Sequence, residues 1–133
     1  MRHFITDMTI QSFKDLRVFT QAFDAAMQIF EHSKLWPTEE KYAMTDQIRR
    51  SSRSVCANIS EAWRKRRYIK HFVSKLSDAD AEAAETRVWL QFALKCSYLK
   101  IQEFRTLDST YHHINGGLVI MMTQPEKWCA SKR

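Results

Sequence analysis

The stretch Y-I-K-H-F-V-S-K-L-S-D-A-D-A-E-A-A-E-T-R-V-W-L-Q-F-A-L-K-C-S, residues 68–97, has apolar or small side chains at alternating intervals of three and four. These positions are Ile69, Phe72, Leu76, Ala79, Ala83, Thr86, Leu90 and Ala93. Intervals of three and four place side chains on one face of an α-helix, whereas a strand needs alternation by two. The stretch therefore predicts one long amphipathic helix with a narrow apolar stripe.

Three other stretches have the same period. A helix over about residues 12–33, with Ser12 or Asp15 as its N-cap, is predicted to bury Leu16, Phe19, Phe23, Ala26 and Phe30. A helix with Thr38 as its N-cap is predicted to bury Met44, Ile48, Ser52, Val55, Ile59 and Ala62. A helix over about residues 101–122 is predicted to bury Phe104, Leu107, Tyr111, Ile114, Leu118 and Met121. The sequence Asn115-Gly116-Gly117 is predicted to interrupt that last helix, because glycine is a poor helix former.

The composition favours long helices with few connections. Only two of the 133 residues are glycine and two are proline, so the sequence offers few turn residues. Short connections make consecutive helices antiparallel neighbours. We therefore predict an all-α fold, an up-down-up-down antiparallel four-helix bundle over residues 12–124, with tails at residues 1–11 and 125–133.

Several classes of protein are not indicated. No apolar run is long enough to span a membrane, and residues 1–10 do not resemble a secretion signal. Cys56, Cys96 and Cys129 are odd in number and widely spaced, which is typical of free thiols in a cytoplasmic protein. The Glu-x-x-His pairs of di-metal bundles do not occur, and no Gly-rich loop or positioned nucleophile accompanies the carboxylates. We expect no metal, no cofactor and no catalytic residue.

Positive charge is concentrated in one fifth of the chain. Nine cations and one acid lie between Arg49 and Lys75, a net charge of +8, whereas the whole chain has +6. A concentrated field of this kind attracts polyanions. The predicted nucleic-acid-binding residues are Arg49, Arg50, Arg53, Arg64, Lys65, Arg66, Arg67 and Lys70.

The run Arg64–Arg67 cannot lie on one side of a continuous helix. Either the chain bends between the second and third helices, or the cations ring the end of the bundle. Their counter-charge is either phosphate or the acids of a neighbouring subunit, Asp78, Asp80, Glu82 and Glu85. The flanking Trp63 and Tyr68 either stack on unpaired bases or form the last layer of the core.

The third helix has more apolar surface than its stripe needs. Trp89, Phe92 and Leu94 lie beside or off the stripe. Either the buried face is wide, or these side chains pack against another subunit. We favour the second interpretation and predict a homo-oligomer.

Three segments resemble the bacterial four helix bundle family: S-F-K-D-L-R-V-F (residues 12–19), Q-I-R-R-S-S-R-S-V-C-A-N-I-S-E-A-W (47–63) and A-E-A-A-E-T-R-V-W-L (81–90). That family includes proteins encoded in intervening sequences of large-subunit ribosomal RNA genes and accessory variability proteins of diversity-generating retroelements. Many members have glycine where this chain has Ala62. The resemblance implies a homo-oligomeric, typically pentameric, bundle. For the retroelement members it also implies a basic surface that binds nucleic acid and a reverse transcriptase.

Asn58 and Glu61 match the family motif, and we predict that they form hydrogen bonds across helices, a structural role. We predict that the protein is a non-enzymatic oligomer that binds nucleic acid, and RNA rather than DNA. If it resembles the retroelement members, it acts as an accessory factor to a reverse transcriptase. The alternative is a structural or protein-binding scaffold whose arginines form salt bridges between subunits.

Overall fold

The computed structural model describes residues 10–129, and it is an antiparallel four-helix bundle. The helices are α1 (Arg17–Ser33), α2 (Asp46–Arg64), α3 (Ile69–Lys95) and α4 (Ile101–Thr123). Within the described residues there is no strand. Helix α1 packs on α2 and α4, and α3 packs on the same two helices, so α1 and α3 occupy diagonal corners. The predicted fold class is confirmed.

The predicted apolar stripes of α2, α3 and α4 form the core of the bundle. In α3 every predicted position from Phe72 to Ala93 is buried, and only Ile69, the first residue of the helix, is exposed. The predicted positions of α2 are all buried. In α4 they are buried except Phe104, which is half-buried. Helical periodicity therefore located these three faces correctly.

The predicted stripe of α1 was correct for Leu16 and Ala26, which are buried, and wrong for its three phenylalanines, by a partial rotation of the helix. The face that enters the core consists of Val18, Ala22, Ala25, Ala26, Ile29 and Ser33. Phe23 is exposed, and Phe19 and Phe30 are half-buried on the adjacent side. Both sides of α1 are apolar, so periodicity alone gave no reason to choose the small side chains over the large ones. The alanines bring the α1 backbone close to its neighbours.

Helix α4 continues without interruption through Gly116 and Gly117, contrary to the prediction of a break. Gly117 faces α1, and a Cβ atom on it would lie 2.7 Å from Cγ1 of Val18. That separation is far below van der Waals contact. Gly117 is therefore present because α1 and α4 approach closely, and the packing compensates for its low helix propensity.

Two predicted helix starts differ from the structure. Ser12 caps only the single 3-10 turn Phe13–Asp15, and α1 begins after the extended residue Leu16. Thr38 is not an N-cap, since it is the first residue of a 3-10 turn that follows Pro37 and has no side-chain cap. A π-helical turn, Lys41–Thr45, then leads into α2.

Polar contacts between helices fix their relative register. Oγ of Ser51 on α2 lies 2.8 Å from Oγ1 of Thr86 on α3, and both residues are buried. Nε of Arg87 on α3 donates to Oδ1 of Asp108 on α4 at 2.9 Å. A buried hydrogen-bonded pair resists sliding of the helices, because a shift would leave polar atoms unpaired.

Only one of the two predicted structural polar residues connects helices. Asn58 donates its Nδ2 hydrogens to the carbonyl oxygen and Oγ of Ser54 in its own helix, so its predicted interhelical role is wrong for the described part of the chain. Glu61 does reach α3, where Nζ of Lys75 lies 2.9 Å from its Oε1. That contact lowers the pKa of Glu61.

Candidate nucleic-acid interface

The four consecutive cations lie where the chain reverses between two helices. Arg64 is the last residue of α2, and α3 begins at Ile69, so Lys65, Arg66 and Arg67 form the connection. We call Arg64, Lys65, Arg66, Arg67 and Lys70 the basic turn. Of the two arrangements left open by the sequence, the bend is the one that the structure has, and it places the cations at one end of the bundle.

Arg66 is held against Trp63. Its guanidinium carbon lies 3.8 Å from the ring centroid of Trp63, and Nη1 donates to the carbonyl oxygen of Trp63 at 2.7 Å. This contact satisfies a carbonyl at the C-terminus of α2, where a cation is electrostatically favoured. Partial burial, assisted by the nearby charge of Arg64, lowers the pKa of Arg66 from its ordinary value.

Trp63 itself is a residue of the core. It is only 8% exposed, and Arg66 covers its ring. Of the two roles considered for Trp63, the core role describes this conformation, and stacking on a base would require Arg66 to move. Tyr68 differs, because it is 55% exposed and its ring lies beside His71 and Arg67. Base stacking by Tyr68 stays a prediction.

The basic turn forms a concave surface whose cations have no direct ion pair among the described residues. Trp63, Arg64, Arg66 and Arg67 line a pocket of about 260 Å³. Within residues 10–129, no carboxylate forms an ion pair with any of the five cations of the basic turn. Three guanidinium groups therefore line one pocket, with that of Arg66 lying on the ring of Trp63, and such a set of donors suits a phosphate or another small anion.

Arg50 is set apart from the other predicted arginines by its partners on α3. Its Nη1 lies 3.3 Å from Oε1 of Glu82, and its Nη2 lies 2.6 Å from Oε2 of Glu85. Within α3, Nζ of Lys75 also lies 3.5 Å from Oδ2 of Asp78. Three of the four acids considered as intersubunit partners are therefore engaged within their own chain.

The fourth acid, Asp80, is also engaged. Its Oδ1 accepts a hydrogen bond of 2.6 Å from Nδ2 of Asn115 on α4. The scaffold alternative needs these carboxylates for a neighbouring subunit, so internal pairing weakens the argument for it.

Arg49 and Arg53 lie on the opposite flank of α2, beside α1. Both guanidinium groups are positioned over the ring of Phe30. The structure thus distributes the eight predicted cations over three places: the basic turn, the α2–α3 ion pairs of Arg50, and the ring of Phe30. The sequence did not indicate the role of Phe30, which was expected in the core.

The predicted oligomer residues are exposed to different degrees. Phe92 is 52% exposed, and Val88, one turn earlier on α3, is 51% exposed. Trp89 is half-buried against the core, and its Nε1 donates to Oε2 of Glu85 at 3.0 Å. Leu94 is half-buried and lines a second pocket. Phe92 and Val88 are therefore the open part of this surface.

The second pocket, of about 600 Å³, lies beside the α3–α4 connection. Nδ1 of His32 lies 3.9 Å from Oε2 of Glu103, and Oε1 of Glu103 accepts a hydrogen bond from the backbone N–H of Lys100. Because this pocket includes a carboxylate in its lining, it is a weaker candidate for an anionic ligand than the basic turn.

None of the helices within residues 10–129 combines the length and the hydropathy needed to cross a lipid bilayer.

Residues 14–119, which include every candidate residue above, match the family model described as 23S rRNA-intervening sequence protein. The chain belongs to that family. The family description refers to ribosomal RNA, and this connects the intervening-sequence proteins with RNA in general terms. No curated protein matches the chain.

A solved structure supports the same fold. It is a crystal structure of a protein of unknown function from the S23 ribosomal protein family of Bacteroides thetaiotaomicron, and it is 29% identical to this chain. The match covers 80% of this chain and 96% of that one, with a TM-score of 0.72. The helical bundle is therefore shared between this intervening-sequence protein and the Bacteroides protein.

Proposed function

We propose that this protein is a non-catalytic RNA-binding protein whose basic turn contacts backbone phosphates. The observation that supports the proposal is the pocket of Arg64, Arg66 and Arg67 over Trp63, whose cations lack carboxylate partners in the described part of the chain. Like charges at such short range repel, so an external anion stabilises their arrangement.

Phosphate suits this surface better than an isolated carboxylate does. A guanidinium group offers paired N–H donors that match two oxygens of a phosphate, and three such groups line one pocket. The exposed ring of Tyr68 beside them provides a face on which an unpaired base can stack. The family's association with ribosomal RNA favours RNA over DNA as the ligand.

The test is RNA binding by a variant of the basic turn. Replacing Arg64 and Arg67 by Gln should weaken binding to a uridine oligomer of about 16 nucleotides, the upper range of single-strand site sizes. Two lost phosphate contacts should flatten the slope of log K against log salt by about 1.4. Fluorescence anisotropy over a salt series measures both quantities.

The matched control replaces Lys95 and Arg105 by Gln. These exposed cations lie on α3 and α4 and form no ion pair within residues 10–129, so the control removes the same net charge elsewhere. The control should bind RNA with nearly the slope of the wild type. Absence of RNA binding by the wild-type protein at low salt would disprove the proposal.

We also propose that the protein acts as a homo-oligomer. The exposed side chains Val88 and Phe92 on α3 and Phe23 and Met27 on α1 support this, because α1 and α3 are at diagonal corners of the bundle. Two different apolar surfaces on opposite sides favour a head-to-tail contact between copies, and such contacts form a ring when the rotation between successive copies closes. A ring would present several basic turns to one RNA.

A further inference from the structure

Two guanidinium groups of α2 lie over one aromatic ring of α1. The Cζ atom of Arg49 lies 4.7 Å from the ring centroid of Phe30, and the Cζ atom of Arg53 lies 5.6 Å from it. Nε of Arg49 also donates to Oγ of Ser33 at 2.8 Å. We call Phe30, Arg49 and Arg53 the Phe30 cluster.

The Phe30 cluster is held in place but not neutralised. The ring supports both guanidinium faces, and Ser33 uses only Nε of Arg49, so the Nη groups remain for an external acceptor. Within residues 10–129, neither Arg49 nor Arg53 forms an ion pair with a carboxylate. Lys34 also lies over this ring, but Glu31 pairs with it at 3.3 Å. Two positive charges on one ring repel each other, and a bridging anion would offset that repulsion.

The Phe30 cluster is aligned with the basic turn. Arg53 and Arg64 are separated by about three full turns of α2, so they lie on nearly the same side of the helix, roughly 16 Å apart along its axis. The surface between them has the short side chains of Ala57 and Ser60. Glu61, the acid in this interval, is turned toward Lys75 on α3.

We propose that the Phe30 cluster is a second phosphate site for the RNA strand that binds at the basic turn, and that the strand follows the outer side of α2. This inference rests on the proposed function and adds the path and the minimum length of the ligand. An unstructured strand fits because the two sites are aligned along α2 and the side chains between them on that side, Ala57 and Ser60, are short. A phosphate contact at each end of the path fixes the strand without reading its sequence.

The test uses Arg53→Gln and the double variant Arg49→Gln/Arg53→Gln with the uridine oligomer of about 16 nucleotides. Each lost phosphate contact should flatten the slope of log K against log salt by about 0.7. The Kd should rise by roughly ten-fold for each charge-assisted contact removed. Arg53 forms no side-chain hydrogen bond among the described residues, so Arg53→Gln should fold as the wild type does.

Oligomer length provides an independent measurement. A uridine dinucleotide has a single phosphodiester and cannot contact both ends of the path, so its binding should have a shallower salt slope than that of the longer strand. Arg53→Gln should narrow the difference in affinity between the two oligomers. The Lys95→Gln/Arg105→Gln control should leave that difference unchanged.

The outcomes separate this inference from the proposed function. If both Phe30-cluster variants bind the longer oligomer with wild-type affinity and slope, while the basic-turn variant loses binding, the inference is wrong and the proposed function stands. If the wild type binds no RNA, both are wrong. If inorganic phosphate shifts the Nε–H resonance of Arg49 but Arg53→Gln leaves RNA binding unchanged, the cluster is an isolated anion site and the strand path is wrong.

Discussion

Ser97 is the one non-glycine residue with a positive φ among residues 10–129, at 65°. It follows α3. The N–H of Tyr98 donates to the carbonyl oxygen of Ala93 at 2.8 Å, and the N–H of Ser97 donates to the carbonyl oxygen of Leu94 at 3.0 Å. These bonds form the Schellman motif that ends many helices, and its left-handed position is usually glycine. Serine at this position is strained because its Cβ atom approaches the backbone.

Replacing Ser97 by Gly should therefore stabilise the protein by about 1 kcal/mol. Chemical denaturation monitored by circular dichroism measures the change as a shift of the midpoint. The matched control is Ser77→Gly, at an exposed position within α3, which should lose about 0.5 kcal/mol because glycine is the poorer helix former. Equal destabilisation by both substitutions would contradict the assignment of strain to Ser97.

At the scale of the elements, α2 and α3 are joined by a charged layer outside their apolar contact. Glu85 accepts hydrogen bonds from Nη2 of Arg50 at 2.6 Å and from Nε1 of Trp89 at 3.0 Å. Burial alone raises the pKa of Glu85, but the hydrogen bonds from Trp89 and Arg50 outweigh it, so the pKa lies below its ordinary value of 4.5. The layer is partly exposed, and solvent screens it.

A lowered carboxylate pKa stabilises the fold above pH 4.5, and this stabilisation is lost as the pH falls through the folded-state pKa. Glu85→Gln should therefore cost about 0.5–1 kcal/mol at pH 7, a modest value for a screened pair, and less at pH 3. The control is Asp24→Asn, an exposed acid of α1 that forms no ion pair within residues 10–129. A cost for Glu85→Gln that does not change with pH would show that the interaction is not electrostatic. Denaturation midpoints at the two pH values provide the comparison.

At the scale of the whole molecule, the basic turn and the two apolar surfaces proposed for assembly occupy different places. The basic turn is at one end of the bundle, whereas Phe23 and Met27 are exposed on the side of α1 and Val88 and Phe92 on the side of α3. Under the proposed function, copies would associate through these sides while their basic ends bind RNA. Assembly and RNA binding should therefore respond to different substitutions.

Phe92→Glu should dissociate the assembly and leave the helicity of each chain unchanged, because Phe92 is exposed and a buried charge at an interface is costly. Mass photometry or sedimentation measures the species present. Leu35→Glu is the control, since Leu35 is an exposed apolar residue between α1 and α2. A wild-type protein that sediments as a 15.8 kDa monomer at micromolar concentration would contradict the proposed assembly.

The sequence by itself determined the four helices, their antiparallel order and the concentration of cations around Arg64. These features follow from properties local to the chain: apolar spacing reports which side of a helix is buried, and short connections leave few topologies. The same reasoning failed for α1, because both Val18 and Phe23 belong to apolar rows and local spacing cannot rank them. Tertiary packing decides which row is buried, because Val18 of α1 lies against Gly117 of α4.

Only the tertiary structure decided which cations are available to a ligand. Arg49 and Arg50 are adjacent in the sequence, yet α3 supplies carboxylates to Arg50 and α1 supplies an aromatic ring to Arg49. The bend after α2 likewise placed Arg66 on Trp63 and left Arg64 and Arg67 at the rim of a pocket. The net effect of a charge depends on what lies within a few ångströms of it, and those neighbours come from other helices.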